Sequence, residues 1–148
     1  MSTDSHDFIF VYGTLLQGIQ SNVAQYFHAH ALFVSEGFMA GELYDLGMYP
    51  GAVFDANSPD KVYGHIFQLK NPTTTLQVLD QYEGCPPDRP QPTEYVRRRV
   101  SILFKNEKKE CWVYVYNFPT DKKVKIESGN YLSFLKGNNR HQGFIDSV

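Results

Sequence analysis

Two short segments carry the residues best suited to chemistry. The first is Tyr12-Gly13-Thr14-Leu15, where a glycine directly after an aromatic run leaves backbone N–H groups uncovered at a strand end. Such donors can hold a carboxylate or a developing oxyanion, although a simple tight turn explains the same residues about as well. The second is Glu83, in the last turn of a helical pattern that stops at Gly84. The negative end of the helix dipole disfavours an anion there. Asp80, one turn earlier on the same face, adds a like charge, so the Glu83 carboxyl should titrate high if the pair is partly buried. The plainer alternative is a pair of solvated carboxylates on a helix surface.

Other candidate clusters are weaker. His28 and His30 form the only close histidine pair, but residues two apart do not share a helix face and nothing nearby completes a ligand set, so no metal site is expected. Arg97-Arg98-Arg99 is the only basic run. In a strand its side chains alternate faces, which favours a solvated face, with Arg97 or Arg99 free to pair with a substrate carboxylate. Cys85 and Cys111 lack CxxC spacing and a Cys/His pattern, and read as two separate thiols in a reducing compartment. GxxxxGK[ST], GxGxxG, HExxH and GxSxG are absent, so phosphate-loop, dinucleotide, zinc-protease and serine-hydrolase chemistry have no sequence support.

The elements that must position these residues follow from hydropathy and turn signals. With 148 residues the chain fits one domain, read as residues 1–148 with an ordered core of about 8–135 between polar tails, and an aromatic fraction of 15% favours strands. Phe8 to Tyr12 reads as a buried strand ending at Gly13. Ser21 or Asn22 can cap a helix with Val23, Tyr26, Phe27 and Leu32 as its apolar stripe. Strands are expected over 38–46, 51–54 and 61–69. Asn71-Pro72 opens a second helix, through a capping side chain and a proline at the first helical position, with Leu76, Leu79 and Tyr82 on one stripe. The run from Cys85 to Pro92 holds four of the 8 prolines and must be a stiff loop, placed to rim a site. Tyr95 to Phe104 and Cys111 to Phe118, joined by Lys105 to Glu110, read as a hairpin, and Asn130 to Leu135 as a last helix before a polar, partly mobile tail from Lys136 to Val148. This order predicts an α+β domain, a closed or nearly closed mixed barrel with segregated short helices. A net charge of -2 argues against a nucleic-acid partner. The polar start Met1 to Asp7 has no signal-peptide features and no apolar run is long enough to span a bilayer, so the expected location is the cytoplasm, away from the membrane.

Five ordered motifs then coincide with a known pattern. They are Val11-Tyr-Gly-Thr-Leu15 with Gly18 and Asn22, Leu43 to Gly51, Val62-Tyr-Gly-His-Ile66, Leu79-Asp-Gln-Tyr-Glu-Gly84, and Tyr95 with Arg97. From about Phe8 to about Tyr131 the chain resembles the gamma-glutamylcyclotransferase-like family, and most of all its small gamma-glutamylamine cyclotransferases. The resemblance implies a small barrel-like α+β fold with a cavity, and conversion of a gamma-glutamyl amine or amino acid to 5-oxoproline and a free amine. By position, Glu83 would be the single acid/base, Tyr12, Gly13, Thr14 and Leu15 the loop binding the gamma-glutamyl head group, and Tyr116 a residue near the substrate. No cofactor and no metal are implied, the partner is a small gamma-glutamyl substrate, and a monomer or weak homodimer is expected. The Pro86 to Pro92 stretch is longer than the family's usual link and bears on the leaving group. The alternative is a non-catalytic binding or regulatory module that keeps the same pocket.

Overall fold

A computed structural model describes residues 7–90 and 92–148; the polar start over 1–6 and Gln91 of the proline-rich stretch lie outside the described residues. The apolar run Phe8–Val11 is strand β1, as its short aromatic and β-branched make-up predicts. Ser21 begins helix α1 (Asn22–Ala29): its side chain accepts the Ala24 N–H at 3.0 Å. The helix stops at Ala29. Leu32, expected on its apolar stripe, belongs to strand β2 (Ala31–Asp45) and is 53% exposed. Long-range pairing decides this, because residues 31–40 lie antiparallel to strand β4 (Lys61–Leu69), which moves the start of β2 well ahead of Phe38.

Strand β3 (Pro50–Phe54) folds back on the end of β2. Helix α2 (Pro72–Glu83) has proline in its first turn as expected, but the Asn71 side chain makes no capping hydrogen bond. Its other end follows the glycine rule: Gly84 adopts the left-handed conformation (φ 76°) and its N–H reaches the Asp80 and Gln81 carbonyls. Glu83 is thereby fixed as the last helical residue. Strands β5 (Tyr95–Phe104) and β6 (Glu107–Tyr116) make a hairpin whose turn is only Lys105 and Asn106, at φ 49° and 65°. The expected charged link to Glu110 is therefore mostly strand, since Phe104 already pairs with Glu107.

These strands close on themselves in the order β2, β4, β1, β6, β5 and back to β2. The β1–β6 pairing is parallel and the others are antiparallel, so the domain is an α+β fold built on a closed mixed barrel, with short helices outside it. Ile9, Met39, Ile66, Ile102 and Val113 are fully buried in its core. Each buried side chain of this kind contributes about 1.5–3 kcal/mol.

The C-terminal part departs from the expected polar tail. After strand β7 (Val124–Lys125) and helix α3 (Tyr131–Leu135), residues Asn139–Ser147 form helix α4, with His141 and Ile145 buried. Polar pairing explains what hydropathy did not show. The Tyr131 hydroxyl lies 2.8 Å from His141 Nδ1, and His141 Nε2 lies 2.7 Å from Asp45 Oδ1, which ties both helices to β2.

Candidate active site

A cavity of about 260 Å³ opens at one end of the barrel, a size suited to an amino-acid-like ligand. The loop after β1 forms one wall. Gly13 is needed there because a Cβ would stand 2.8 Å from Pro50 Cγ, and the turn closes through the Leu16 N–H to the Gly13 carbonyl at 3.1 Å. Among the described residues, the amides of Gly13, Thr14 and Leu15 have no backbone acceptor and are free to serve a ligand. Leu15 is buried against the cavity, and Thr14 Oγ1 meets the Tyr82 hydroxyl at 3.0 Å. The Tyr12 ring lines the cavity, but its hydroxyl is committed elsewhere: it donates to the Tyr114 carbonyl at 2.7 Å and accepts the Ala52 N–H at 3.2 Å. Tyr12 is a brace joining β1, β6 and β3.

Glu83 lines the same cavity from the end of α2. Burial, then the charge of Glu94, then that of Asp80, push its carboxyl up to about 8. The residue keeps some exposed surface because it looks into the cavity, yet protein surrounds it closely enough for desolvation to dominate. Asp80 therefore acts as expected in sign but comes last in size. It is 4% exposed and neutralised by Arg97, whose Nε and Nη2 donate to its two oxygens at 2.8 and 3.0 Å, and by the Tyr114 hydroxyl at 2.6 Å.

Arg97 and Arg99 are accordingly engaged away from the cavity, and Arg98, exposed, does not line it. Arg97 holds Asp80, Arg99 reaches Asp7 at 3.2 Å, and both guanidinium groups stack on Trp112, each 4.4 Å from the ring centre. Among the described residues no Lys, Arg or His lines the cavity, and no group of His, Cys, Asp and Glu could hold a metal ion. His28 instead lies against the Leu15 carbonyl at 2.9 Å, supporting the loop from behind. Both cysteines are free thiols, Cys85 half-buried and Cys111 buried.

Tyr116 does not line the cavity. Its ring packs beside Gly51 and edge-on against Tyr95 and Phe118, and Tyr114, two residues earlier on β6, is the tyrosine that faces the space. The proline-rich loop also falls short of the rim. Among the described residues, only Gly84 before it and Glu94 after it reach the cavity. The sequence reading overlooked Glu94, Tyr49, Tyr82 and Phe144. Tyr82 and Tyr49 lie inside the Leu79 to Gly84 and Leu43 to Gly51 motifs, and Glu94 stands just before Tyr95, so membership of or adjacency to those motifs was a usable signal for all three. Tyr49 and Phe144 come together only in the fold, with ring centres 5.1 Å apart where α4 meets the mouth of the cavity.

Comparison with known proteins agrees with this architecture. The family model described as gamma-glutamyl cyclotransferase, AIG2-like, matches residues 9–133. A gamma-glutamylcyclotransferase family protein of Citrobacter rodentium is 34% identical over 125 residues, covering 84% of this chain and 94% of its own. The solution structure of protein ytfP from Escherichia coli superposes with a TM-score of 0.58 at 31% identity, over 86% of this chain and 97% of that one. An AIG2-like protein of the mouse gives a TM-score of 0.61 at 23% identity, over 79% and 81% of the two chains, and shares the fold. The matched span holds the barrel, the loop after β1 and Glu83, and the chain belongs to the gamma-glutamyl cyclotransferase, AIG2-like family.

Proposed function

We propose that this protein is a cofactor-independent gamma-glutamylcyclotransferase, converting a gamma-glutamyl amine or gamma-glutamyl amino acid to 5-oxoproline and releasing the amine. One observation carries the reading: a carboxyl pushed up to about 8 stands in a small cavity whose lining also holds Gly13, Thr14 and Leu15, with amides that have no backbone acceptor among the described residues. The substrate brings its own nucleophile, the alpha-amine, and its own electrophile, the gamma-amide carbonyl, so ring closure needs orientation above all. The alpha-ammonium must lose a proton to attack, and the departing nitrogen must gain one. A carboxyl titrating near 8 is present in both forms around neutral pH and can accept a proton at one stage of the cycle and donate one at another. The Gly13, Thr14 and Leu15 amides would hold the alpha-carboxylate or the tetrahedral oxyanion, a task left to the backbone where no cationic side chain lines the cavity.

The test is 5-oxoproline release from a panel of gamma-glutamyl amines, gamma-glutamyl dipeptides and glutathione, with Glu83→Gln alongside. The expected result is turnover of at least one substrate and a loss of about 10²–10⁴-fold in the variant, whose fold is kept. Full activity in Glu83→Gln would remove Glu83 from the chemistry. A folded wild type that binds these compounds without turning them over would favour a binding module.

A further inference from the structure

Glu94 is the feature of the cavity that this mechanism leaves unused. It lies immediately before β5, eleven positions after Glu83, and lines the same space. Its segment is firmly held. The Asn117 N–H donates to the Glu94 carbonyl at 2.7 Å, the Asn117 side chain to the Thr93 carbonyl at 3.0 Å, and the Thr93 hydroxyl to the Tyr95 carbonyl at 2.6 Å. Its carboxyl group receives the Tyr49 hydroxyl, 2.9 Å from one oxygen and 3.2 Å from the other. A hydroxyl donating to both oxygens suits the ionised form, which can only accept.

Proton counting gives this second carboxyl a task. In the proposed reaction the substrate's alpha-ammonium becomes the single N–H of a lactam, so that nitrogen gives up two protons. The amide nitrogen departs as an ammonium ion and takes up two. One carboxyl carries one proton at a time, whereas two in a single cavity can carry both.

We propose that Glu94, positioned by Tyr49, is the base that takes the first proton from the substrate's alpha-ammonium, while Glu83 serves as the acid toward the departing amine. The inference rests on the cyclotransferase reading. The freed amine attacks the gamma-carbonyl carbon, forming the new C–N bond. As the tetrahedral adduct collapses, the bond to the departing nitrogen breaks, its electron pair stays on that nitrogen, and Glu83 supplies the proton. The ring nitrogen then returns its surplus proton to Glu83. The proton on Glu94 leaves with the departing amine, which restores both groups to their starting forms.

The two carboxyls are linked through space. Glu94 is the charge that most strongly opposes ionisation of Glu83, and the hydroxyls of Tyr12, Tyr49, Tyr95 and Tyr116 also sense it. When Glu94 takes up the alpha-ammonium proton its charge vanishes, and Glu83 becomes the stronger acid just when the departing nitrogen needs a proton.

The experiment measures kcat and KM across pH for Glu94→Gln and Tyr49→Phe, on a substrate that the wild type converts, with near-UV circular dichroism to check the fold. Glu94→Gln is expected to lose about 10²–10³-fold in kcat with KM within about three-fold, and to lose one limb of the pH profile. Tyr49→Phe, which keeps the carboxyl but not its support, should lose about three- to ten-fold in kcat and shift one limb of the pH profile. A kcat within about three-fold of wild type with both limbs intact in Glu94→Gln overturns the proposal and leaves the cyclotransferase reading standing. If that variant does not fold, an unchanged pH profile and kcat in Tyr49→Phe overturns it instead. A wild type that releases no 5-oxoproline sinks the underlying reading and this proposal with it.

Discussion

At the scale of single residues, Glu83 makes the protein's stability depend on pH in an unusual direction. Its folded-state carboxyl titrates near 8 against an ordinary 4.5, so the folded chain holds the proton more tightly than the unfolded chain does. Stability contributed by the neutral form is full below about 4.5, falls as pH rises through that window, and reaches its minimum above 8. Glu83→Gln should therefore be more stable than wild type at pH 9, by roughly 1–3 kcal/mol after allowing for cavity water, with little difference at pH 4. Urea denaturation at the two pH values measures this, and equal midpoints at pH 9 would contradict it. Glu83 was legible in the sequence because a helix pattern, a glycine stop and a family motif converge on it. The size of its shift was not, because Glu94 approaches from a strand entered only after the proline-rich loop, and Asp80 is largely neutralised by an arginine that lies 17 residues away along the chain.

Among the elements, strands and helices were read well where local chemistry decides and poorly where pairing does. The end of α2 follows from Gly84 alone, whereas the start of β2 depends on β4, some thirty residues away in sequence. The β5–β6 hairpin is instructive because its turn asks two non-glycine residues, Lys105 and Asn106, to adopt left-handed backbone angles. Asparagine tolerates that region and lysine does not favour it. Replacing the pair by Asn-Gly should stabilise the domain by about 0.5–1 kcal/mol while leaving 5-oxoproline release unchanged, since the turn is far from the residues lining the cavity. Thermal unfolding beside the activity assay tests it, and a lowered midpoint would show that Lys105 contributes something the turn geometry does not reveal.

For the molecule as a whole, α4 joins the C-terminal segment to the site. Its His141 bridges Tyr131 and Asp45, its Phe144 packs at a tilt against Tyr49 at the cavity, and the Val148 carbonyl accepts the Val23 N–H at 3.3 Å, so three separate parts of the chain meet there. The sequence alone presented this segment as polar, because its burial rests on hydrogen bonds between residues far apart rather than on an apolar stripe. His141→Ala should cost about 2–4 kcal/mol, by leaving the Tyr131 hydroxyl without its partner and opening a cavity beneath the helix. It should also raise KM more than it lowers kcat. A denaturation midpoint equal to wild type would remove the bridge from the list of stabilising contacts. The order of strands in the barrel also bears on how the chain is made. Strands β2, β4 and β1 are complete once residue 69 has been added, yet the ring needs β5 and β6, and the last of these ends at residue 116. At about 5–20 residues per second, a ribosome takes roughly 2–9 s to supply the missing stretch. Throughout that interval β1 and part of β2 present open edges to solvent or to a chaperone, and the two glutamates have no cavity to share. The nascent chain thus acquires its cavity only when the barrel shuts, after the second strand of the β5–β6 hairpin has been made.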